Sequence, residues 1–136
     1  LLFNYWYGFN YQPAYINNQP QIDHIFPQSV LQKIKDTNPN TGRMDILRYK
    51  SWERNQFANL MLLTASENGA GGKSDTLPRD WFNGKTDDYL ENHLIPKDNN
   101  LWEIDKFDDF INERKKLIEE KFKDILLETT AKQIYA

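Results

Sequence analysis

The sequence contains no cysteine. This absence excludes a disulfide framework and a cysteine-based zinc ribbon, and it is typical of proteins from a reducing cytosol. The sequence also lacks an apolar run of membrane-spanning length and any segment that resembles a signal peptide. These absences predict a cytoplasmic protein with no membrane partner.

Positive charge is scarce at the start of the chain, where residues 1–32 contain no lysine or arginine, and the net charge is −3. This balance disfavours a nucleic-acid partner. Residues 43–80, however, hold about as many bases as acids, and the excess acid lies in residues 98–128. An acidic tail need not contact the substrate, so nucleic acid stays open as a partner.

The length of 136 residues is that of one domain with a real core, and we expect a single domain over residues 1–136. The apolar opening Leu1-Leu2-Phe3 lacks a methionine. We therefore expect the chain to be the C-terminal part of a longer polypeptide.

The spacing of hydrophobic residues, together with the residues that begin and end helices and strands, predicts an α+β domain. The apolar residues of 106–128 recur every three to four positions, which predicts a long helix capped by Asp105. Strands are predicted over residues 21–26, ended by Pro27, and over 59–64. The other predicted elements are helices over residues 1–8, 29–35, 44–57 (irregular), from 65 or 66, from Pro78 to near Gly84, and from a Thr86 cap to Leu94, with a loop over 36–42.

The most informative stretch is Gln21-Ile22-Asp23-His24-Ile25-Phe26-Pro27, which contains one of only two histidines. Phosphodiester hydrolysis needs a base for the attacking water and positive charge at the leaving oxygen. A neutral imidazole suits the first role, and a hard divalent cation held by carboxylate and amide oxygens suits the second. On a strand, Asp23 and His24 point to opposite faces. One can therefore hold a metal while the other addresses the substrate, and Asn68 is the candidate for a second oxygen ligand.

Three motifs together carry a family resemblance: Asp23 to Ser29, Asn59 to Thr64, and Asn68 with Gly72-Lys73-Ser74-Asp75. They resemble the HNH (ββα-metal, His-Me finger) nucleases. The pattern is most similar to the C-terminal HNH domain of GmrSD-type, modification-dependent restriction endonucleases. The segments around Tyr89 to Pro96 and the C-terminal helix add to this likeness.

The resemblance implies a role for each matching residue. Asp23 is the first metal ligand, His24 the general base, Asn59 a bracing residue and Asn68 the last metal ligand, with one Mg²⁺ or Mn²⁺ ion. It also implies a ββα-metal core wrapped by helices, and DNA cleavage to 5′-phosphate and 3′-hydroxyl ends. The expected partner is an N-terminal nucleotide-hydrolysing and recognition domain, in a bacterial anti-phage system.

Several residues carry two interpretations. Lys73 and Arg79 are candidate phosphate-binding residues or surface charges beside Asp75 and Asp80. His93 is a second active-site histidine or, as we favour, a packing or helix-terminal residue. Trp52, Trp81 and Trp102 are expected in the core. The rival functions are an inactive HNH-fold module that binds DNA or a protein, and a nuclease that acts on RNA or single strands.

Overall fold

The computed structural model describes residues 20–64, 67 and 72–135, with side chains described between residues 21 and 124. The helix predicted over residues 1–8 and the candidate ligand Asn68 lie outside the described residues. The elements are β1 (Pro20–His24), α1 (Gln28–Leu31), β2 (Lys35–Thr37), β3 (Met44–Leu47), α2 (Ser51–Arg54), a 3-10 turn (Phe57–Asn59), β4 (Leu60–Thr64), α3 (Pro78–Phe82), α4 (Asp87–Asn92), two further 3-10 turns (Asn99–Trp102 and Ile104–Lys106) and α5 (Phe107–Tyr135).

Two short antiparallel sheets combine with these helices, which confirms the α+β class. The first sheet pairs β1 with β4, and His24 lies opposite Leu60. The prediction of β4 is confirmed, whereas β1 ends at His24, two residues before the predicted end. The reason is local: the backbone N–H of Ile25 donates to the Asn59 carbonyl, and the N–H of Phe26 donates to the Asn59 side chain. Those bonds replace further strand pairing.

The second sheet is a hairpin of β2 and β3 that the sequence did not predict. The expected helix over 29–35 ends at Leu31, and the segment 44–57 begins as a strand before the single turn of α2. The hairpin turns through Gly42, whose φ of 74° suits a residue without a side chain. Strand pairing across this turn therefore overrode the local helical preference.

The helix α5 confirms the predicted C-terminal helix and extends it to Tyr135. Its predicted apolar positions Phe107, Phe110, Ile111 and Ile118 are buried. The start of α3 at Pro78 and the Thr86 cap of α4 are also confirmed, since the Thr86 hydroxyl accepts a hydrogen bond from the N–H of Tyr89. No helix in the described part of the chain is long and apolar enough to cross a bilayer.

Phe26 ties the end of the first sheet to the core. Its ring is fully buried and makes edge-on contacts with Phe107 and Phe110, both at 5.1 Å between ring centroids. Such aromatic pairs contribute about 0.5–1.5 kcal/mol beyond the burial of area. The residue two positions after His24 is thus anchored against α5.

One of the three tryptophans expected in the core is not there. Trp102 is buried and its indole donates to the Pro96 carbonyl, and Trp81 packs half-buried against the core. Trp52 is 71% exposed, so its prediction was wrong. The helix α2 is a single turn long. It buries Arg54, and Trp52 therefore lies on its exposed side.

Candidate active site

Asp23 and His24 occupy the last two positions of β1, and both are half-buried. Their strand is held from one side by β4 and from the other by the core contacts of Phe26. Adjacent strand residues alternate between faces, so the carboxylate and the imidazole have separate surroundings. These surroundings differ in kind: a buried lysine lies beside Asp23, and a surface amide lies beside His24.

Asn59 braces the backbone just beyond His24. Its side chain is fully buried. Its Oδ1 accepts from the N–H of Phe26 at 2.9 Å, and its Nδ2 donates to the carbonyls of Phe26 at 3.1 Å and Arg54 at 2.8 Å. A single amide therefore satisfies three buried backbone groups and connects β1, α2 and β4.

The imidazole of His24 has a defined partner on α2. Its Nε2 lies 2.7 Å from Oδ1 of Asn55. The Asn55 amide in turn donates through Nδ2 to the Ser51 hydroxyl at 3.2 Å. Asn55 is the residue that ends α2, where its backbone N–H donates to the Ser51 carbonyl. The helix end therefore presents this amide to the imidazole.

Lys73 is fully buried and points into the site. Its ammonium donates to the His24 carbonyl at 2.7 Å and lies 3.0 Å from Oδ2 of Asp23. Burial lowers the pKa of Lys73, while the Asp23 carboxylate, and more weakly Asp75, act in the opposite direction. The alternative that Lys73 is a surface charge is therefore wrong.

Asp23 offers an oxygen suited to a cation. Its side chain is 17% exposed, and its buried Oδ2 lies 3.0 Å from the Lys73 ammonium. A buried carboxylate oxygen is stabilised by positive charge close to it. Magnesium is commonly held by one or two carboxylates with waters and substrate phosphates completing its shell. Asp23 fits this pattern, although no three His, Asp or Glu side chains converge on one point within the described residues.

Glu67, which precedes the candidate ligand Asn68 in the sequence, is held by several hydrogen bonds. Its carboxylate accepts from the backbone N–H and hydroxyl of Thr64, both at 3.1 Å, and from the Tyr89 hydroxyl at 3.0 Å. The Lys73 N–H donates to its backbone carbonyl. Glu67 is therefore tied to the end of β4, to α4 and to Lys73.

Arg79 lies apart from this cluster. Its side chain is 57% exposed and its guanidinium contacts Glu103 at 3.1 Å and, more distantly, Asp80 at 3.7 Å. In the described structure its ionic partners are these two carboxylates and not the Asp23–His24 pair. His93, in contrast, is fully buried at the end of α4 with its ring 4.5 Å from that of Tyr89, as the packing interpretation predicts.

Sequence reasoning assigned no role to two residues that shape the site. Asn55 carries no signal of its own in the sequence, because its partner lies 31 positions away. Arg114 is fully buried, and its guanidinium donates to the carbonyls of Ala58 at 2.8 Å, Leu60 at 2.6 Å and His93 at 3.0 Å. The sequence indicates that Arg114 is buried through its position four residues after Phe110, which is on the apolar face of α5.

The chain matches, over residues 2–121, the family described as GmrSD restriction endonucleases, C-terminal domain. It therefore belongs to this family, and the predicted family assignment is confirmed. Membership places the chain among the nuclease domains of restriction endonucleases, which act on DNA. No curated protein and no solved structure matches the chain.

Proposed function

We propose that this domain is a metal-dependent HNH endonuclease that hydrolyses DNA phosphodiester bonds, with His24 as the general base. The observation that supports this most strongly is that a carboxylate and an imidazole occupy adjacent positions at the end of one strand. Buried contacts of Asn59 and Lys73 fix the backbone at that point. A backbone held in this way beneath an aspartate and a histidine is expected of a reaction site.

In the proposed reaction, His24 accepts a proton from a water molecule whose oxygen forms a bond to phosphorus. The bond from phosphorus to the 3′ oxygen breaks, and its electron pair stays on that oxygen, which then takes a proton from solvent. The products carry 5′-phosphate and 3′-hydroxyl ends. A divalent ion, Mg²⁺ or Mn²⁺, would supply positive charge at the leaving oxygen. Asp23 and Asn68 would hold that ion.

The strands β1 and β4 and the helix predicted from residue 65 or 66 would form the ββα-metal unit. The helix α5 supports this unit through Phe26 and Arg114. We further propose that the domain works with a nucleotide-hydrolysing and recognition domain in a bacterial cytoplasm, because the family is one of restriction endonucleases.

The alternative is an HNH-fold module that binds DNA without cleaving it. The Lys73 ammonium beside Asp23 favours it, since this ammonium already supplies a positive charge to the carboxylate. A nuclease that prefers RNA or single strands is the second alternative. Substrate competition with duplex DNA, single-stranded DNA and RNA separates these preferences.

The deciding experiment is cleavage of supercoiled plasmid in Mg²⁺, Mn²⁺ or EDTA, with His24→Ala measured in parallel. We expect metal-dependent nicking by the wild type and none by the variant, with unchanged circular dichroism and unchanged Mn²⁺ binding. Nicked products should be resealed by a DNA ligase, which requires a 5′-phosphate. Full activity in His24→Ala would eliminate the general-base role. A folded wild type that binds Mn²⁺ and DNA but never cleaves would support the binding module.

A further inference from the structure

The contact between His24 and Asn55 bears on which nitrogen of the His24 imidazole carries the proton. A neutral imidazole carries one N–H and one lone pair, on different nitrogens. An amide oxygen only accepts hydrogen bonds. Oδ1 of Asn55 lies 2.7 Å from Nε2 of His24, and a proton on Nε2 completes this hydrogen bond. The lone pair then belongs to Nδ1.

We infer that Asn55 is a positioning residue that keeps the proton of His24 on Nε2 and so leaves Nδ1 as the atom that accepts the proton of the water. This inference rests on the proposed nuclease function. It extends that proposal by naming the imidazole nitrogen that reacts and the side chain that selects it. It also explains the stabilisation of the product of that step: once Nδ1 is protonated, the Nε2–H bond to Asn55 becomes charge-assisted and stronger.

The Asn55 amide has a second contact on α2. With Oδ1 towards His24, Nδ2 faces the Ser51 hydroxyl at 3.2 Å and donates to it. Both residues belong to the single turn of α2, and the Asn55 N–H donates to the Ser51 carbonyl at 2.9 Å. The amide is thus held at both ends, and it approaches the imidazole in a fixed direction.

A purely structural role for Asn55 makes a different prediction. A residue that merely ends α2 would need only its backbone N–H, and its side chain would be replaceable by alanine without effect on His24. The exposed position of Asn55 favours replacement without loss of folding. The two roles therefore differ in what happens to the imidazole and not in what happens to stability.

The test uses nuclear magnetic resonance on protein labelled with ¹⁵N in its two histidines, without metal and at alkaline pH. The His24→Ala variant assigns the signals. In the wild type we expect the His24 ring proton on Nε2, with slow exchange against solvent. In Asn55→Ala we expect fast exchange and a second tautomer. Asn55→Asp, which keeps an acceptor, should restore slow exchange. Asn112→Ala removes an exposed asparagine on α5 and should change nothing.

Cleavage kinetics give the second readout. We expect Asn55→Ala to lower kcat about tenfold with an unchanged KM, which corresponds to one lost hydrogen bond in the transition state. Asn55→Asp should recover part of this loss. A wild-type proton on Nδ1, or an imidazole signal that Asn55→Ala leaves unchanged, would overturn the inference, and so would a changed imidazole with full activity. If the wild type cleaves nothing, the proposed function fails, and the spectra still decide whether Asn55 selects the tautomer.

Discussion

The ammonium of Lys73 lies 3.0 Å from the Asp23 carboxylate in a position closed to solvent on the lysine side. A cation is therefore part of the site before any ion binds. Its hydrogen bond to the His24 carbonyl extends this contact to the backbone of the proposed base. Lys73 thus contacts both Asp23 and His24. A lysine whose ammonium binds a DNA phosphate would not make these contacts.

Replacement of Lys73 by methionine, which has a similar length, should destabilise the fold by about 3 kcal/mol. The reason is that the carboxylate of Asp23 and the carbonyl of His24 lose a buried partner. Urea denaturation measures this change. Mn²⁺ should recover more stability in Lys73→Met than in the wild type, because the ion can take the place of the ammonium beside Asp23.

The matched control for that change is Lys116→Met, which removes an exposed lysine 3.0 Å from Glu113 on α5. Surface pairs of this kind contribute about 0.5 kcal/mol or less. Equal stability of the Lys73 and Lys116 variants would contradict the role of Lys73 as a buried counter-ion.

Truncation of Asn59 should be among the most damaging changes in the site. Asn59→Ala leaves the N–H of Phe26 and the carbonyls of Phe26 and Arg54 without a partner, at about 1–3 kcal/mol for each buried group. We expect a loss of about 3 kcal/mol or more in the free energy of unfolding. Asn59→Asp should not rescue it, since a carboxylate cannot donate to the two carbonyls. The exposed Asn83→Ala serves as control, and a wild-type denaturation midpoint for Asn59→Ala would disprove the bracing role.

Arg114 should not be replaceable by lysine. Its guanidinium donates through two nitrogens to the carbonyls of Ala58, Leu60 and His93, and an ammonium cannot reproduce that planar geometry. We expect Arg114→Lys to lower stability by about 2 kcal/mol and to lower cleavage as well, because Ala58 and Leu60 flank Asn59. Thermal denaturation and plasmid nicking test this, with the exposed neighbour Lys115→Arg as control. Unchanged stability and nicking would show that the buried guanidinium is dispensable.

His93 should make the stability depend on pH. Burial, followed by the charges of Arg114 and Lys85, lowers its pKa from 6.5 to about 3. The unfolded chain then binds a proton more readily than the native protein. The stabilising contribution is complete above about pH 6.5 and is lost as the pH falls towards about pH 3, with a ceiling of about 5 kcal/mol.

The comparison for His93 is urea denaturation of the wild type and His93→Gln at about pH 4 and about pH 7. The variant should lose less stability on acidification than the wild type. Titration of the imidazole by nuclear magnetic resonance gives a direct check that does not depend on the variant. A His93 pKa near the ordinary value would refute the expectation.

Arg79 remains a predicted contact for a DNA phosphate. Arg79→Ala should weaken binding of DNA by the inactive His24→Ala protein and reduce the slope of log K against log salt by about one. Stability should change by about 0.5 kcal/mol or less, because the pair with Glu103 is exposed. The exposed Lys106→Ala, at a position with no predicted role, is the control. A salt slope that Arg79→Ala does not change would remove this residue from the interface.

The sequence by itself determined the features that repeat at short range. The spacing of Phe107, Phe110 and Ile111 specified the buried face of α5, and Thr86 and Pro78 marked the starts of two helices. The motif around Asp23 and His24, the Asn59 segment and the motif of Asn68 with Gly72 to Asp75 together identified the family. These signals are readable because helical periodicity, capping and motif spacing depend on residues only a few positions apart.

Only the tertiary structure decided which residues surround the proposed base. Lys73 meets Asp23 across 50 positions of sequence, Asn55 meets His24 across 31, and Arg114 meets Ala58 across 56. None of these pairs follows from a local pattern. The β2–β3 hairpin depended on strand pairing across its turn, and the exposure of Trp52 depended on how α2 packs. The physical reason is that a buried polar group takes whichever partner the fold brings within hydrogen-bond distance.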